Sequence, residues 1–110
     1  MDGCEEQFSD SSLYLHVHPS TFSSNIVATE ETFASLADSE DVCEIVLNLR
    51  DTYRLDSRGL RALVDLQRRL RDRGGRLVLA DVPLALQRLL EYTRLDDFFY
   101  FKQTVDEFTN

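Results

Sequence analysis

The sequence predicts a small single-domain α/β fold, a mostly parallel sheet of about four to five strands with helices packed on it. Three observations predict it. Short apolar runs at residues 13–17, 42–49 and 76–80 have strand length and composition. Between them lie stretches whose apolar residues recur every three or four positions, the period of a helix with one buried face. A chain of 110 residues with 43% hydrophobic content is long enough to bury a core as one domain. Strand and helix in alternation imply right-handed crossovers between parallel strands.

Residues 1–12 are polar and are expected to be loose or to add a short edge strand, within one domain spanning 1–110. Leu13, Leu15 and Val17 alternate with Tyr14, His16 and His18, the pattern of a strand with one buried face. The histidines fall on its outer side. Their spacing could suit a metal, but no third ligand follows, so solvent-facing histidines are expected. Pro19-Ser20-Thr21 ends the strand. Residues 29–37 read as a helix with apolar positions at Ile26, Phe33, Leu36 and Ala37, capped by Ser24 or Asn25. Residues 42–49 are nearly continuous in apolar character, which predicts a central strand covered on both faces.

The chain turns on Leu55-Asp56-Ser57-Arg58-Gly59-Leu60. It ends the loop after that strand and opens the strongest helix pattern. Leu60, Leu63, Val64, Leu66 and Leu70 fall within a stripe about 160° wide at 100° per residue. Arg58, Arg61, Asp65, Arg68, Arg69 and Asp72 occupy the other face, where i,i+4 pairs (Arg61–Asp65, Asp65–Arg69, Arg68–Asp72) are expected. Gly74-Gly75 stops the helix. Residues 76–80 form the next strand. Pro83 sits at the first position of a helix whose apolar surface comes from Leu84, Leu86, Leu89, Leu90 and Tyr92. Residues 98–101 read as an aromatic final strand, followed by a short helix around Val105 and Phe108.

Charge is segregated along the chain. Residues 1–49 carry ten acids and no lysine or arginine, while residues 50–110 carry all twelve bases. The net charge of −8 argues against a nucleic-acid partner, whose binding rests on neutralising phosphates. No apolar run reaches the ~20 residues of a membrane span, and the acidic N-terminus is not a secretory signal. Cys4 and Cys43 are too few for a disulfide framework and read as two reduced thiols in a cytoplasmic protein.

No pattern for catalysis is present. Phosphate loops, dinucleotide fingerprints and a nucleophile elbow around Ser57 are all missing, and Asp51 and Asp56 are ordinary loop acids. The chain reads as a binding module rather than an enzyme, with no cofactor and no metal. The candidate site is Ser57. Asp56 and Ser57 both suit a helix N-cap, and the backbone N–H groups there favour an anion. Gly59 costs roughly 0.5–1 kcal/mol against alanine, and it is read as leaving a bare patch for close approach by a partner or a phosphate.

From about residue 45 to 101 the chain resembles the STAS domain family, which includes bacterial anti-sigma factor antagonists and the cytoplasmic domains of sulphate transporters. The resemblance rests on Ile45-Val46-Leu47-Asn48-Leu49, then Leu55-Asp56-Ser57-Arg58-Gly59-Leu60, then Gly74-Gly75-Arg76-Leu77-Val78-Leu79. Pro83 followed by Leu86, Arg88, Leu89 and Leu90 completes it. It implies that Ser57 is the residue phosphorylated by a partner anti-sigma factor with serine kinase activity, and that a phosphatase acts on phosphorylated Ser57. The unmodified form would bind the anti-sigma factor and the phosphorylated form would release it. The implied partner surface comprises Tyr53, Asp56, Ser57, Arg58, Gly59 and Arg61. The alternative is a STAS scaffold or accessory subunit that does not switch, serving a lipid-transport ATPase or a stress-signalling assembly. Three positions depart from the family pattern. Arg58 stands where a small residue is usual, residues 19–25 replace a Gly-x-Leu-Asp loop, and Arg94 stands where glycine often follows the third helix.

Overall fold

The computed structural model describes residues 12–104. Their element order is β1 (Ser12–His16), α1 (Ile26–Asp38), β2 (Glu44–Asn48), α2 (Ser57–Asp72), β3 (Arg76–Ala80), α3 (Leu84–Tyr92) and β4 (Tyr100–Lys102). The four strands pair in parallel, in the spatial order β1-β2-β3-β4. The expectations for residues 1–11 and for a helix around Val105 and Phe108 lie outside the described residues.

The strand order decides where the helices go. Each crossover joins neighbouring strands in the same direction, and a common hand then places all three helices on one face. Buried residues of α1, α2 and α3 accordingly share one cluster with Ile45, Leu47, Leu49, Leu77 and Leu79. Val46, Val78 and Ala80 point the other way and form a separate cluster. β2 is buried on both faces, as its continuous apolar run predicts, but the described helices cover only one of them.

Helix α2 buries Gly59, Ala62, Leu63, Leu66, Gln67 and Leu70. That face is centred about 50° from the predicted stripe, at 100° per residue. The rotation puts Ala62 and Gln67 inside and leaves Leu60 and Val64 at its margin. Gln67 is fully buried and satisfied at both ends. Its Nε2 donates to Phe98 O at 2.7 Å, and its Oε1 accepts the Leu77 N–H at 2.8 Å. One amide thus ties α2 to β3 and to the turn before β4, which no apolar side chain there could do.

The other helices differ in detail from their predicted forms. Helix α1 starts at Ile26, earlier than predicted, and Asn25 at its N-cap makes no capping bond; its Nδ2 donates to Ser20 Oγ instead. Thr29 takes an inward position and donates to Thr21 O at 2.6 Å. In α3, Pro83 is the N-cap rather than the first helical residue, and only Leu86 and Leu90 are buried. Leu84 and Tyr92 are 61% and 87% exposed, so they supply no core surface. The aromatic run is split: Phe99 is buried before the strand, while Tyr100 and Phe101 lie exposed in β4, an edge strand. Cys43 is disulfide-bonded, which corrects its expectation as a reduced thiol; Cys4 lies outside the described residues.

Two helices end in the same way. After α2, Gly74 has φ 83°, with Gly75 N donating to Leu70 O and Gly74 N to Arg71 O. After α3, Leu95 N donates to Leu90 O and Arg94 N to Glu91 O, but the left-handed residue is Arg94, at φ 64°. These are paired C-terminal bonds that satisfy orphan carbonyls. A side chain in that conformation costs about 1–2 kcal/mol, against glycine's extra unfolded-state freedom of about 0.5–1 kcal/mol. Arg94→Gly should therefore raise stability by about 0.5–1 kcal/mol, read as a higher urea midpoint at unchanged slope. A lower midpoint would mean that the arginine side chain compensates its backbone.

Candidate functional site

The site lies beyond the C-terminal end of β2. Asn48 closes that strand and is buried. Its Nδ2 donates to Tyr14 Oη at 2.9 Å and to Asp81 Oδ2 at 2.7 Å, and its Oδ1 accepts the Arg50 N–H at 3.0 Å. Asp81 also accepts from Thr104 N and Thr104 Oγ1. Burial pushes the Asp81 carboxyl up, but the bonds from Thr104 and Asn48 outweigh it and hold it below its ordinary value. This network joins β1, β2 and the ends of β3 and β4, and gives the loop a fixed origin. A polar residue inside Leu47-Asn48-Leu49 was the signal for it, and sequence reading passed over it.

The loop from residue 49 to 56 is pinned at both ends. Leu49 N donates to Ala80 O at 2.9 Å, Thr52 N donates to Leu49 O at 2.9 Å, and Thr52 is buried. Tyr53 is 65% exposed on the loop. His16 Nε2 meets Asp51 Oδ2 at 2.9 Å, both half-exposed, so this histidine braces the loop rather than facing solvent unpartnered. Among the described residues no group of three histidine, cysteine or carboxylate side chains is placed to hold a metal ion.

Asp56 is the N-cap of α2: its Oδ1 accepts the Gly59 N–H at 2.9 Å. The structure thus decides between the two candidate caps. Ser57 is the first helical residue, it is exposed, and its hydroxyl is not needed to hold the helix. Asp56→Ala should lower stability by about 0.5–2 kcal/mol, the ordinary worth of such a cap, measurable as a shift in urea midpoint. An unchanged midpoint would mean that another acceptor serves Gly59 N.

Gly59 does not leave a bare surface. It is buried, and a Cβ there would stand 2.8 Å from Leu55 Cδ1 and 3.3 Å from Phe22 Cβ. The missing side chain makes room for the molecule's own loops. Phe22, from the segment that replaces the Gly-x-Leu-Asp loop, is buried there and packs edge-on against Phe33 of α1 at 5.9 Å. Gly59 therefore seats loop 19–25 beside Ser57.

Two depressions flank Ser57. One, of about 470 Å³, is lined by Glu30, Ser57, Arg58 and Arg61. The other, of about 340 Å³, runs along α2 past Leu60, Arg61, Val64 and Arg68 to Leu95. The rotation of α2 that left Leu60 and Val64 at the core margin gives this second groove its apolar floor. Arg61 makes no ion pair among the described residues and borders both depressions.

Arg58 is bidentate on Glu30 of α1, Nε to Oε2 at 2.8 Å and Nη2 to Oε1 at 2.9 Å. The guanidinium's hydrogen bonds hold the Glu30 carboxyl below its ordinary value, and Glu30 in turn raises Arg58. Toward the other end of the helices, Arg69 Nη2 meets Asp38 Oδ1 at 2.9 Å. None of the three expected i,i+4 pairs forms among the described residues; the intrahelical contact present is Arg68–Asp65, at 3.7 Å and i,i+3. Arg58 and Arg69 reach across to α1 instead. No sequence signal identified Glu30 as part of the site, since it is 28 residues from Arg58.

Of the predicted site residues, the structure therefore brings Asp56, Ser57, Arg58 and Arg61 together at the start of α2. Tyr53 stands on the adjoining loop, and Gly59 lies beneath them. The fold is similar to that of the anti-sigma factor antagonist SpoIIAA in its unphosphorylated form, with TM-score 0.74 and 14% identity over 93% of this chain and 87% of that one. It is similar to the Thermotoga maritima protein TM1081, with TM-score 0.72 and 21% identity over 97% and 89% of the two chains. It also matches the phosphorylated form of the Bacillus cell fate determinant SpoIIAA, with TM-score 0.64 and 16% identity over 93% and 90%. At these identities the likeness is one of fold. The STAS domain family matches residues 5–108, nearly the whole sequence, and with the four parallel strands in place the chain belongs to the STAS domain family.

Proposed function

We propose that this protein is an anti-sigma factor antagonist in a partner-switching pathway, with Ser57 as its switch. The observation that carries this is the exposed Ser57 hydroxyl at the first position of α2, freed from capping by Asp56 and bordered by two depressions. Unphosphorylated, the protein binds an anti-sigma factor with serine kinase activity, which releases the sigma factor for transcription. The kinase transfers a phosphoryl group to Ser57 Oγ, and a phosphatase removes it. A phosphate adds about −1.5 to −2 charges at a surface built around a neutral hydroxyl, so partner release follows from local charge and bulk without refolding. Tyr53, Asp56, Arg58 and Arg61 form the surface that the partner meets, held in position by the packing of Gly59. The chain itself performs no catalysis in this scheme. It acts in the bacterial cytoplasm, an assignment that rests on the family and not on the cysteines.

The test is the intact mass of the protein after incubation with native cell extract and ATP, with affinity capture in parallel. A gain of one phosphate that maps to Ser57, together with capture of a small ATP-binding kinase, supports the proposal. No modification, with capture of a transporter ATPase or a multi-protein particle, supports the non-switching scaffold instead.

A further inference from the structure

We propose that Glu30 occupies the fork of Arg58 as an internal stand-in for the phosphate, so that phosphorylation of Ser57 exchanges one anion for another on the same arginine. This rests on the reading of Ser57 as the modified residue and names how the modification would be registered by the rest of the molecule.

The geometry points to it in three ways. Glu30 holds Arg58 through two parallel bonds, at 2.8 and 2.9 Å, the arrangement in which a guanidinium recognises either a carboxylate or a phosphate. Glu30, Ser57, Arg58 and Arg61 line one open depression, so the two anions would compete side by side for the same arginine. The pair is also accessible, with side-chain exposures of 54% for Arg58 and 37% for Glu30, so exchange requires no opening of the core. A phosphoserine carries more charge than a carboxylate and offers three acceptor oxygens, which favours it for the fork.

The consequence reaches α1. While Ser57 is unmodified, Arg58 ties the start of α2 to α1, and the formal charges of Glu30 and Arg58 cancel. After modification Arg58 turns toward the phosphate and Glu30 is left unpaired. A partner straddling the two helices would then meet a new phosphate on α2 and a freed carboxylate on α1. Glu30 is thus a positioning residue for the switch, and the arginine at a position where the family usually has a small residue is what allows it to act.

The experiment is a double-mutant cycle on protein carrying phosphoserine at position 57, installed by genetic encoding so that no kinase is needed. The second pKa of the phosphate is read by ³¹P NMR titration in wild type, Glu30→Gln, Arg58→Gln and the double variant. Circular dichroism checks that each remains folded. Freeing Arg58 from its competitor should lower the phosphate pKa by about half a unit in Glu30→Gln. In the Arg58→Gln background the same Glu30 change should have less than about half that effect, because only direct repulsion between the two anions remains. An equal effect of Glu30→Gln in both backgrounds, or an unchanged pKa in Arg58→Gln, would overturn the exchange. Neither result depends on whether the cell phosphorylates Ser57. The extract experiment decides that separately, so failure of the exchange and failure of the switch are told apart.

Discussion

Gly75→Ala should cost this protein about 3 kcal/mol or more, the largest loss expected from adding a single methyl group. An alanine Cβ at this position would stand 2.3 Å from Cys43 O and 3.2 Å from Cys43 C. Both are backbone atoms, so no rotamer change relieves the contact. The same carbonyl accepts the Arg76 N–H at 2.9 Å, and Gly75 N donates to Leu70 O at 2.8 Å to close α2. Moving either partner disturbs the start of the β2–β3 ladder or the end of the main helix. Gly74→Ala is the control. Its φ of 83° penalises a side chain by about 1 kcal/mol. Urea midpoints of both variants, measured with the state of Cys43 held constant, should separate by at least 2 kcal/mol. Midpoints that agree within error would mean that the β2–α2 packing yields more readily than this backbone contact implies. Domains of this kind have about 5–15 kcal/mol in total, so Gly75→Ala should leave the fold marginal.

Ser57→Asp should leave the fold intact and reduce affinity for the proposed anti-sigma factor by about a hundredfold, while Ser57→Ala should bind within a fewfold of wild type. Asp56 makes the cap, so removing the exposed Ser57 hydroxyl should change stability by no more than about 0.5 kcal/mol. Aspartate in the first turn of α2 is favourable with the helix dipole, by about 0.3–1 kcal/mol. The binding penalty has another origin. A carboxylate brought into the interface must be desolvated, and with Arg58 engaged by Glu30 only Arg61, four residues on, is left beside it to offset part of that cost. Melting curves and calorimetric titrations on the three proteins separate these effects. Equal affinities across wild type, alanine and aspartate forms would reject the switch and leave the scaffold reading in place. A large loss of stability in Ser57→Ala would instead show that Asp56 is not sufficient as a cap.

The alternation of elements was legible in the sequence because strand and helix periods are local properties. Residues 42–49 and 76–80 became β2 and β3, and Leu63, Leu66 and Leu70 are at most 1% exposed. The Gly74-Gly75 stop was equally legible, since it depends on a backbone conformation that few residues adopt. The order of the strands in space was not, and neither was the placing of the helices on one face. Both depend on how crossovers assemble, and no stretch of chain records that. Helix α2 shows the same division on a smaller scale. Periodicity located its apolar side, but packing against β3 and the β4 turn rotated the buried face until Gln67 lay inside with two backbone partners.

At the candidate site, composition and position singled out Ser57, while tertiary contacts set the geometry around it. Asp56 and Ser57 were equivalent as caps until the distance from Asp56 Oδ1 to Gly59 N separated them. Gly59 was conspicuous as a glycine in a first helical turn. Only the seating of Phe22 and Leu55 reveals that its missing side chain serves the interior. The confinement of all bases to residues 50–110, with acids alone before them, is written in the sequence. Its use is decided in three dimensions, where Glu30 meets Arg58, Asp38 meets Arg69 and Glu44 meets Arg76. The physical reason is range. Helix and strand periods, caps and turns are set by neighbours within four residues, whereas an ion pair across two helices needs both helices already packed. A parallel fold brings the starts of α1 and α2 side by side, and that is what puts Glu30 within reach of Arg58, next to Ser57.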